Sequence, residues 1–437
     1  MNIFDDGFLF MQMRTITCRI ESPLVSEYTW VMKVFAKYIG FNVQFVDGNE
    51  DMLIAEHGMG DIQVSHFFRM TYQSGDCHFK SYFRKELLHY TASNKPDYLS
   101  TCFYLLSYLQ EYTDYHPDQY GRFPFSNSIQ HHFDCIDKNL VAQYFTLLCE
   151  QTPKLKQLVS KKEHASVVFL SHDIDSAYGA LAENGKWLLK HGKVGALMQL
   201  IFNHYVRTPD HLLLDKIMQI EDAYDVKSVF FWLARSGRGT RLINNADYNL
   251  SDSKVRSIQQ HISEKGWVNG LHKSAGKSTM TADYHSVREF AEPVNRNHYL
   301  LTELPGTFNE IEAAGIQMDC TMGFAEAPGF RNSYGLPVRP YHFKEKREYN
   351  FIEVPLHIMD TTYRYYRKES GKEAERLIID FLEHNPQDAV ISILWHNNYF
   401  FDRTDTSWLD AYKAVLQYMH EKQIKSVLPK ELLEEYL

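Results

Sequence analysis

The feature that most constrains the fold of this chain is a series of short apolar runs in its C-terminal part, separated by helical stretches. Strands that alternate with helices indicate parallel β/α units. In a barrel built from such units the carboxyl ends of the strands share one face, and active sites assemble there. Five runs of this kind end in polar or ionisable side chains: Ser166–Leu170, Val226–Leu233, Gly266–Leu271, Phe351–Ile358 and Ala389–Leu394.

The strand ends predict that five ionisable side chains, far apart in the sequence, share one rim. Two carboxylates two residues apart can divide the work of holding a divalent cation and accepting a proton from water. A neutral imidazole such as that of His272 is a good ligand for Zn²⁺. Structural roles compete with these, because Asp175 also suits a helix N-cap and a lone histidine is more often structural. The five side chains are Asp173, Asp175, His272, Asp360 and His396.

His396 follows the most clearly buried of these runs and suits a general acid that protonates a leaving group. Asp360 could orient this imidazole and stabilise its charge. The structural alternatives are a histidine bound by the backbone and an aspartate that caps a helix before Thr361. Two arginines, Arg296 and Arg331, either fix a catalytic carboxylate or bind an anion, although arginine most often forms a surface ion pair.

The first part of the chain has a different pattern, which predicts a smaller α/β domain. A polar, lysine-rich stretch from residue 154 to residue 164 separates the two parts. We therefore expect two domains, residues 1–160 and residues 161–437. Apolar spacing in the first predicts strands over Arg14–Ile20 and Asn42–Val46 and helices over Tyr28–Tyr38, Pro96–Tyr112 and Asn139–Cys149.

The charge of the chain limits the classes of partner that it can bind. The 437 residues carry a net charge of −9, and the strongest basic run is the pair Lys161-Lys162. This excludes the basic face that nucleic acid needs. No segment reaches the roughly 18 apolar residues of a membrane span, and Met1 to Arg14 has no signal-peptide pattern, so we expect a cytoplasmic location. Scattered cysteines without a CxxC motif predict free thiols in a reducing compartment. They are Cys18, Cys77, Cys102, Cys135, Cys149 and Cys320.

Taken in order, the rim motifs resemble those of the polysaccharide deacetylase family, the NodB-homology carbohydrate esterases. The chain is similar to a long branch, common in Bacteroidetes, that joins this barrel to an uncharacterised N-terminal domain. Asp118–Phe123 resembles the end of that domain, and Ala314–Arg331 continues the pattern of the branch. The five motifs are matched by Phe169–Asp175, Gly270–Ser274, Asn295–Leu300, Glu353–Asp360 and Leu394–Asn397.

The resemblance implies a deformed (β/α) barrel of NodB type behind a smaller N-terminal α/β domain. It implies hydrolysis of an N-acetyl or O-acetyl group on a carbohydrate substrate, with Asp173 as base and His396 as acid. The implied cofactor is a divalent metal, zinc first and cobalt, nickel or manganese as alternatives. The implied residues are Asp173, His396, Asp360 and Arg296 for catalysis, Asp175, His272 and His298 for the metal, and Arg331 and Asn397 for substrate. Three aromatics near the rim, Tyr178, Trp395 and Tyr399, are expected to stack on substrate, with burial as the equal alternative for Trp395.

One motif departs from the family, because Gly276 stands where a second metal-binding histidine usually follows His272 by four residues. The site then either takes another third ligand, for which His285, His298 and water are the candidates, or lacks that ligand, or is lost altogether. Lys273 beside a metal would repel a cation. Two other functions therefore stay open. One is a degenerate barrel that binds carbohydrate without hydrolysing it, and the other is an amide hydrolase that acts on a small non-sugar substrate.

Overall fold

The computed structural model of this chain describes residues 14–75, 78–84, 87–159, 161 and 163–437. The expectations for Cys77, for residues 1–13, for Lys162 and for a boundary at residue 160 itself lie outside the described residues. The two-domain division stays a prediction.

The N-terminal part is built around a parallel four-stranded sheet in the order β2-β1-β3-β4. Its strands are β1 (Thr15–Glu21), β2 (Asn42–Phe45), β3 (Met52–Ala55) and β4 (Ile62–Gln63), and β5 (His89–Tyr90) pairs with β6 (Pro96–Asp97) in a separate hairpin. Its helices are α1 (Val25–Ile39), α2 (His66–Ser74), α3 (Tyr98–Leu106), α4 (Leu109–Thr113), α5 (Ile129–His132), α6 (Leu140–Gln151) and α7 (Pro153–Leu158).

The prediction of one continuous helix over Pro96–Tyr112 is wrong, because this segment forms two helices: α3 ends at Leu106 and α4 begins at Leu109. Tyr108 lies between them in the left-handed region, with φ at 56°. Its ring is buried at 6.2 Å from that of Phe308, on the barrel, so a tertiary contact accompanies the break. The other predicted elements of this part are confirmed as β1, β2, α1 and α6. The strands β3 and β4 and the helix α2 were not predicted, since a strand of two to four residues shows no clear alternation.

The C-terminal part is an eight-stranded sheet in the order β14-β11-β10-β9-β8-β7-β16-β15, and every pairing in it is parallel. Only Val354 and Pro355 separate the two edge strands along the chain, so the sheet curls round into a deformed barrel, as predicted. The strands are β7 (Val167–Ile174), β8 (Ser228–Leu233), β9 (Val268–Lys273), β10 (Val294–Asn297), β11 (Met318–Asp319), β12 (Tyr341–His342), β13 (Arg347–Glu348), β14 (Ile352–Glu353), β15 (Leu356–Met359) and β16 (Val390–Leu394), of which β12 and β13 form a hairpin outside the barrel.

Helices cover the outside of the barrel. All five predicted strands are present, although the run Phe351–Ile358 is divided into β14 and β15; the short strands β10 and β11 were not predicted. The helices are α8 (Ala180–Lys190), α9 (Val194–Tyr205), α10 (Leu214–Asp222), α11 (Ser253–Glu264), α12 (Met280–Val287), α13 (Gly306–Ala313), α14 (Gly371–His384), α15 (Ser407–Glu421) and α16 (Pro429–Tyr436). Within the described residues, no helix has the length and apolar character needed to cross a membrane.

The alternation of β7 decides which of its side chains enter the barrel. Val167 and Phe169 belong to an apolar cluster that also contains the core of the N-terminal part, so the two parts share continuous packing. Val168 and Leu170 belong to a second cluster, which packs against the outer helices. Because side chains alternate along a strand, Asp173 points to the same side as Val167 and Phe169. The five described cysteines are buried free thiols: Cys18, Cys102, Cys135, Cys149 and Cys320.

Candidate active site

The carboxyl ends of three neighbouring strands bring a carboxylate and two imidazoles together. Asp175 follows β7, His272 lies on β9, and His298 directly follows β10. Their ligand atoms lie within 4.8 Å of one another. Asp175 Oδ1 is 3.4 Å from His272 Nε2 and 3.5 Å from His298 Nε2.

Strand alternation places these groups on the inside. Asp173 and Asp175 are two residues apart and so share a side, and the register pairs His272 with Arg296 across β9 and β10. His172, on the opposite side of β7, points away from the site, and its Nε2 lies 2.9 Å from the buried carboxylate of Glu221. The alternation therefore divides the motif around Asp173 into site residues and a core histidine.

Hydrogen bonding fixes which nitrogen of His272 faces the carboxylate. Its Nδ1 lies 2.8 Å from the backbone carbonyl oxygen of Arg296. A carbonyl only accepts, so Nδ1 must donate, and in the neutral ring the lone pair is on Nε2. Nε2 is the atom that faces Asp175. This is the usual way in which an outer hydrogen bond orients a metal-binding histidine.

His298 is oriented by an asparagine that sequence reasoning missed. Asn245 Oδ1 accepts from the backbone N–H of Ala275 at 2.9 Å, and its Nδ2 donates to the Ala275 carbonyl oxygen at 3.0 Å. The same Oδ1 lies 3.3 Å from His298 Nδ1, which must therefore donate. His298 Nε2, like that of His272, is left free toward Asp175. No motif signalled Asn245, because it lies on a loop after β8.

The three groups fit a divalent cation. His272 Nε2 and Asp175 Oδ1 are buried atoms without a hydrogen-bond partner in the described part of the chain. Ligands of a tetrahedral zinc ion at about 2.0–2.1 Å stand about 3.3 Å apart, close to the separations observed. Burial raises the pKa of Asp175, but His298 and His272 outweigh this and hold it well below its usual value. Two imidazoles and one carboxylate are a common donor set for zinc.

The local backbone explains why residue 276 is not a ligand. Gly276 has φ at 113°, and a Cβ there would lie 2.7 Å from the carbonyl oxygen of Gly239. A histidine at this position would be strained, and His298, which directly follows the next strand, brings the second imidazole of the candidate group. The other candidate, His285, lies exposed on α12. The Lys273 ammonium lies 3.3 Å from the carboxylate of Asp283, so its charge is balanced away from the site.

Asp173 lies beside this triad and is held by a buried arginine. Arg296 Nη1 donates to Asp173 Oδ1 at 2.9 Å and to Ser171 Oγ at 2.9 Å. The other carboxylate oxygen, Oδ2, is 3.4 Å from His272 Nε2. Burial raises the pKa of Asp173, but the charges of His272 and Arg296 outweigh it and hold the pKa below its usual value. Asp173 is therefore a carboxylate at neutral pH.

His396 lies on the other side of Asp175 and is paired with Asp360. Its Nδ1 donates to Asp360 Oδ1 at 2.7 Å, and its backbone N–H donates to Asp360 Oδ2 at 2.5 Å. Its Nε2 is 3.7 Å from Asp175 Oδ2. Burial lowers the pKa of His396, but Asp360 and then Asp175 raise it to about 10. His396 is therefore protonated at neutral pH. Asp360 also accepts from the N–H of Thr361, but the helix that follows has Thr361 itself at its N-cap, so Asp360 does not cap it.

These groups open into one cavity of about 480 Å³, which tyrosines surround. Part of the lining comes from the N-terminal part of the chain, and part from a π-helix, Thr362–Arg367, that follows Asp360. Arg122 donates to the hydroxyl of Tyr366 at 3.1 Å across this boundary. Except for Tyr399, sequence reasoning assigned none of these lining residues a role. They are Gln119, Tyr120, Arg122, Tyr299, Tyr365, Tyr366 and Tyr399.

The four residues expected to contact substrate lie elsewhere. Trp395 is 1% exposed and packs against other aromatics outside the barrel, because it alternates with His396. Asn397 is buried and donates to the backbone carbonyl oxygens of Ser176 and His211. Tyr178 donates its hydroxyl to Asp252. None of these side chains lines the cavity, so their expected contact with substrate is corrected to a structural role.

Arg331, the fourth of them, belongs to a separate buried ionic cluster. Its Nε and Nη2 donate to the two carboxylate oxygens of Glu111 at 2.8 and 2.7 Å, and Nη1 donates to the Gly323 carbonyl oxygen at 2.7 Å. Arg331 thus ties α4 to the barrel, and each of its three nitrogens donates to a group inside the protein. Near it, burial and then Asp319 raise the pKa of Glu353 well above its usual value.

Comparisons with known proteins gave one family match and several similar solved structures. A family described as one of unknown function, DUF7033, matches residues 17–157. No curated protein matches the chain.

Three solved structures are similar to part of the chain. A Mycobacterium smegmatis protein proposed to be a polysaccharide deacetylase is 11% identical, with 62% of this chain and 89% of that chain covered and a TM-score of 0.40. A Bacillus cereus polysaccharide deacetylase is 14% identical, with coverages of 61% and 93% and a TM-score of 0.31. A Colletotrichum lindemuthianum chitin deacetylase is 12% identical, with coverages of 61% and 87% and a TM-score of 0.33.

Proposed function

We propose that this chain is a metal-dependent hydrolase that removes N-acetyl or O-acetyl groups from a carbohydrate. The observation that carries the proposal is the convergence of Asp175, His272 and His298, with an unprotonated Asp173 on one side and a protonated His396 on the other. An acid and a base that flank a cation site suit hydrolysis of an acyl bond. We propose zinc as the cation.

Each residue has a separate task in this proposal. A divalent cation held by Asp175, His272 and His298 would polarise the acetyl carbonyl and activate water. Asp173, kept ionised by Arg296, accepts the proton of the attacking water. His396, kept protonated by Asp360, donates a proton to the departing amine or alcohol.

The cavity lining supports a sugar as the substrate. Sugar rings present flat C–H faces that stack on aromatic side chains, while the hydroxyl of tyrosine can bind their hydroxyl groups. Five tyrosines line the cavity, and Arg122 adds a buried donor beside them. We propose that the N-terminal part completes the carbohydrate site through these residues. The cytoplasmic location expected from the sequence stays a prediction.

The test is acetate release from N-acetylated oligosaccharides by protein loaded with Zn²⁺ or Co²⁺. We expect release that is lost on chelation and restored by metal, and about one metal ion per chain by elemental analysis. His298→Ala should lose both the metal and the activity, whereas His285→Ala, a change of the exposed histidine on α12, should keep both. Wild-type protein that binds no metal and releases no acetate would refute the proposal.

The same assay separates the two other functions. Oligosaccharide binding without acetate release, measured by calorimetry on metal-loaded protein, would identify a barrel that only binds carbohydrate. Release of acetate from small non-sugar amides but not from sugars would identify the other amide hydrolase.

A further inference from the structure

A helical hairpin, α8 and α9, follows β7 along the chain and exposes an unusual amount of apolar surface. Seven of the exposed large apolar side chains in the described residues lie in this short segment. The others are scattered over the chain or lie at the tyrosine-lined cavity. The seven are Leu189, Val194, Met198, Ile201, Phe202, Tyr205 and Val206.

The apolar surface of α9 covers both of its sides. Leu200 is buried and packs with Leu188 of α8 inside the hairpin. The opposite side presents Met198, Ile201 and Phe202 to solvent, with exposures of 64%, 37% and 46%. A helix with one apolar side already packed and further apolar side chains exposed on the other presents a patch that another surface normally covers. Nothing in the described part of the chain covers this side of α9.

Charge around the hairpin points to the chemistry of its partner. From residue 184 to residue 209 there is no aspartate or glutamate, although the whole chain has a net charge of −9. Four cationic side chains in this segment are exposed and form no ion pair within the described residues. They are Lys186, Lys190, Lys193 and Arg207.

We propose that the α8–α9 hairpin docks on the surface of an anionic lipid bilayer, with the outer side of α9 among the acyl chains and its cations among the headgroups. An apolar helix side bordered by lysine and arginine is typical of helices that lie in the membrane interface. The 12 residues of α9 extend about 18 Å, well short of the roughly 30 Å hydrocarbon core. The hairpin therefore lies on the membrane and does not span it.

A second copy of the chain fits this surface less well. A twofold contact between two hairpins would bring two sets of unpaired cations together without any acidic group between them, and like charges in contact oppose association. An anionic lipid surface supplies the missing charge.

The base of the hairpin is joined to the loops that carry the site. Asn184 of α8 donates to the Phe401 carbonyl oxygen at 3.2 Å and accepts from the N–H of Arg403 at 2.8 Å. This loop follows His396 directly, and α8 itself begins five residues after Asp175. Docking would hold the cavity near the membrane, where a saccharide attached to a lipid carrier is available. This last consequence rests on the proposed function, whereas the docking does not.

Vesicle flotation with the full chain tests the docking. We expect binding to vesicles that contain phosphatidylglycerol, weaker binding to phosphatidylcholine alone, and loss of binding as salt rises. Met198→Glu and Phe202→Glu should each weaken binding about tenfold or more, because each removes a buried apolar side chain from the interface. Met59→Glu is the matched control, since Met59 is 98% exposed on the N-terminal part, and it should bind as wild type.

The cations are tested separately. Lys190→Gln and Lys193→Gln should each weaken binding to the anionic vesicles about fivefold, whereas Lys372→Gln on α14 should not. No binding of wild type to anionic vesicles overturns the proposal, as does a stable dimer in sedimentation that Met198→Glu dissociates. Acetate release from a short oligosaccharide in solution should be unchanged in Met198→Glu. A protein that binds vesicles but releases no acetate would refute the proposed function and leave the docking intact.

Discussion

Two arginines are completely buried in the barrel, and the comparison between them shows what marks a site. Arg331 directs every nitrogen to Glu111 or to the backbone, so that its charge is matched by one carboxylate. Arg296 holds Asp173 through one nitrogen only, and its Nη2 has no hydrogen-bond partner in the described part of the chain. Asp173 keeps a second oxygen that faces His272 and the cavity. Both pairs bury a charge. Only the Arg296–Asp173 pair combines a nitrogen that has no hydrogen-bond partner in the described residues with a carboxylate that lines a cavity.

Replacement of the carboxylate held by Arg296 should have the largest effect. Asp173→Asn keeps the shape of the side chain but removes the proposed base, so we expect kcat/KM for acetate release to fall about 10²–10⁴-fold. Because this change also leaves the buried Arg296 without its carboxylate, kcat/KM is measured on the folded fraction, in which the metal content should change little. Glu111→Gln, at the other pair, should lower stability and leave kcat/KM of the folded fraction near wild type. An active Asp173→Asn would show that the two pairs do not differ in function.

The next largest effect is expected at the Arg331–Glu111 pair, where a substitution should lower the stability of the fold. Arg331→Met leaves Glu111 as an uncompensated buried charge, which should lower the free energy of unfolding by about 3–5 kcal/mol. The measurement is denaturant unfolding, with the double variant Glu111→Leu/Arg331→Met as control. The double variant should recover most of the loss, because no unpaired charge remains. A loss below about 1 kcal/mol in the single variant would contradict a tight ion pair.

A smaller effect is expected from the group that orients His298. Asn245→Ala removes the acceptor of His298 Nδ1, and loss of such an outer hydrogen bond weakens metal affinity about 10–100-fold. Calorimetric titration with Zn²⁺ measures this. Asn249→Ala, on the same loop but exposed, serves as the matched control and should bind Zn²⁺ like wild type. Equal affinities in the two variants would remove Asn245 from the site.

The smallest effect concerns the carboxyl pair near Arg331. Because burial and then Asp319 raise the pKa of Glu353, the contribution of this group to stability is complete below its unfolded pKa and is lost as pH rises through its folded pKa. Glu353→Gln keeps a neutral group at all pH values. Its free energy of unfolding should therefore exceed that of wild type by about 1 kcal/mol at alkaline pH, with a smaller difference at acidic pH.

Unfolding curves across this pH range check the prediction. Glu264→Gln, at an exposed position on α11, should follow wild type throughout. A gap between Glu353→Gln and wild type that narrows as pH rises would contradict a raised pKa.

Much of the rim was predictable, because alternation along a strand is a local property. The runs that became β7, β9 and β16 place Asp173, His272 and His396 at carboxyl ends on the inner side. The same alternation counted forward from Val390 would have assigned Trp395 to the outside, where the structure has it. Of the two expectations for Trp395, stacking on substrate and burial, the structure has the second, and the sequence alone could have chosen it.

Other parts of the site depend on contacts that no local pattern encodes. The choice of His298 over His285 follows from the register of β10 against β9 and from the position of Asn245. The cavity tyrosines come from loops and from a π-helix, and Tyr120 comes from the other part of the chain. Loop residues carry no periodicity, so the sequence offered no signal for them.

By itself, the sequence determined the barrel class, most of its strands and the types of side chain at their ends, because each depends on residues close together along the chain. Only the tertiary structure decided that Arg331 pairs with Glu111, that Arg296 holds Asp173 at the rim, and that His298 faces Asp175 beside His272. These outcomes depend on which distant segments meet when the sheet curls round. An arginine whose nitrogens are all hydrogen-bonded and an arginine beside a cavity cannot be told apart from the residues next to them in the sequence.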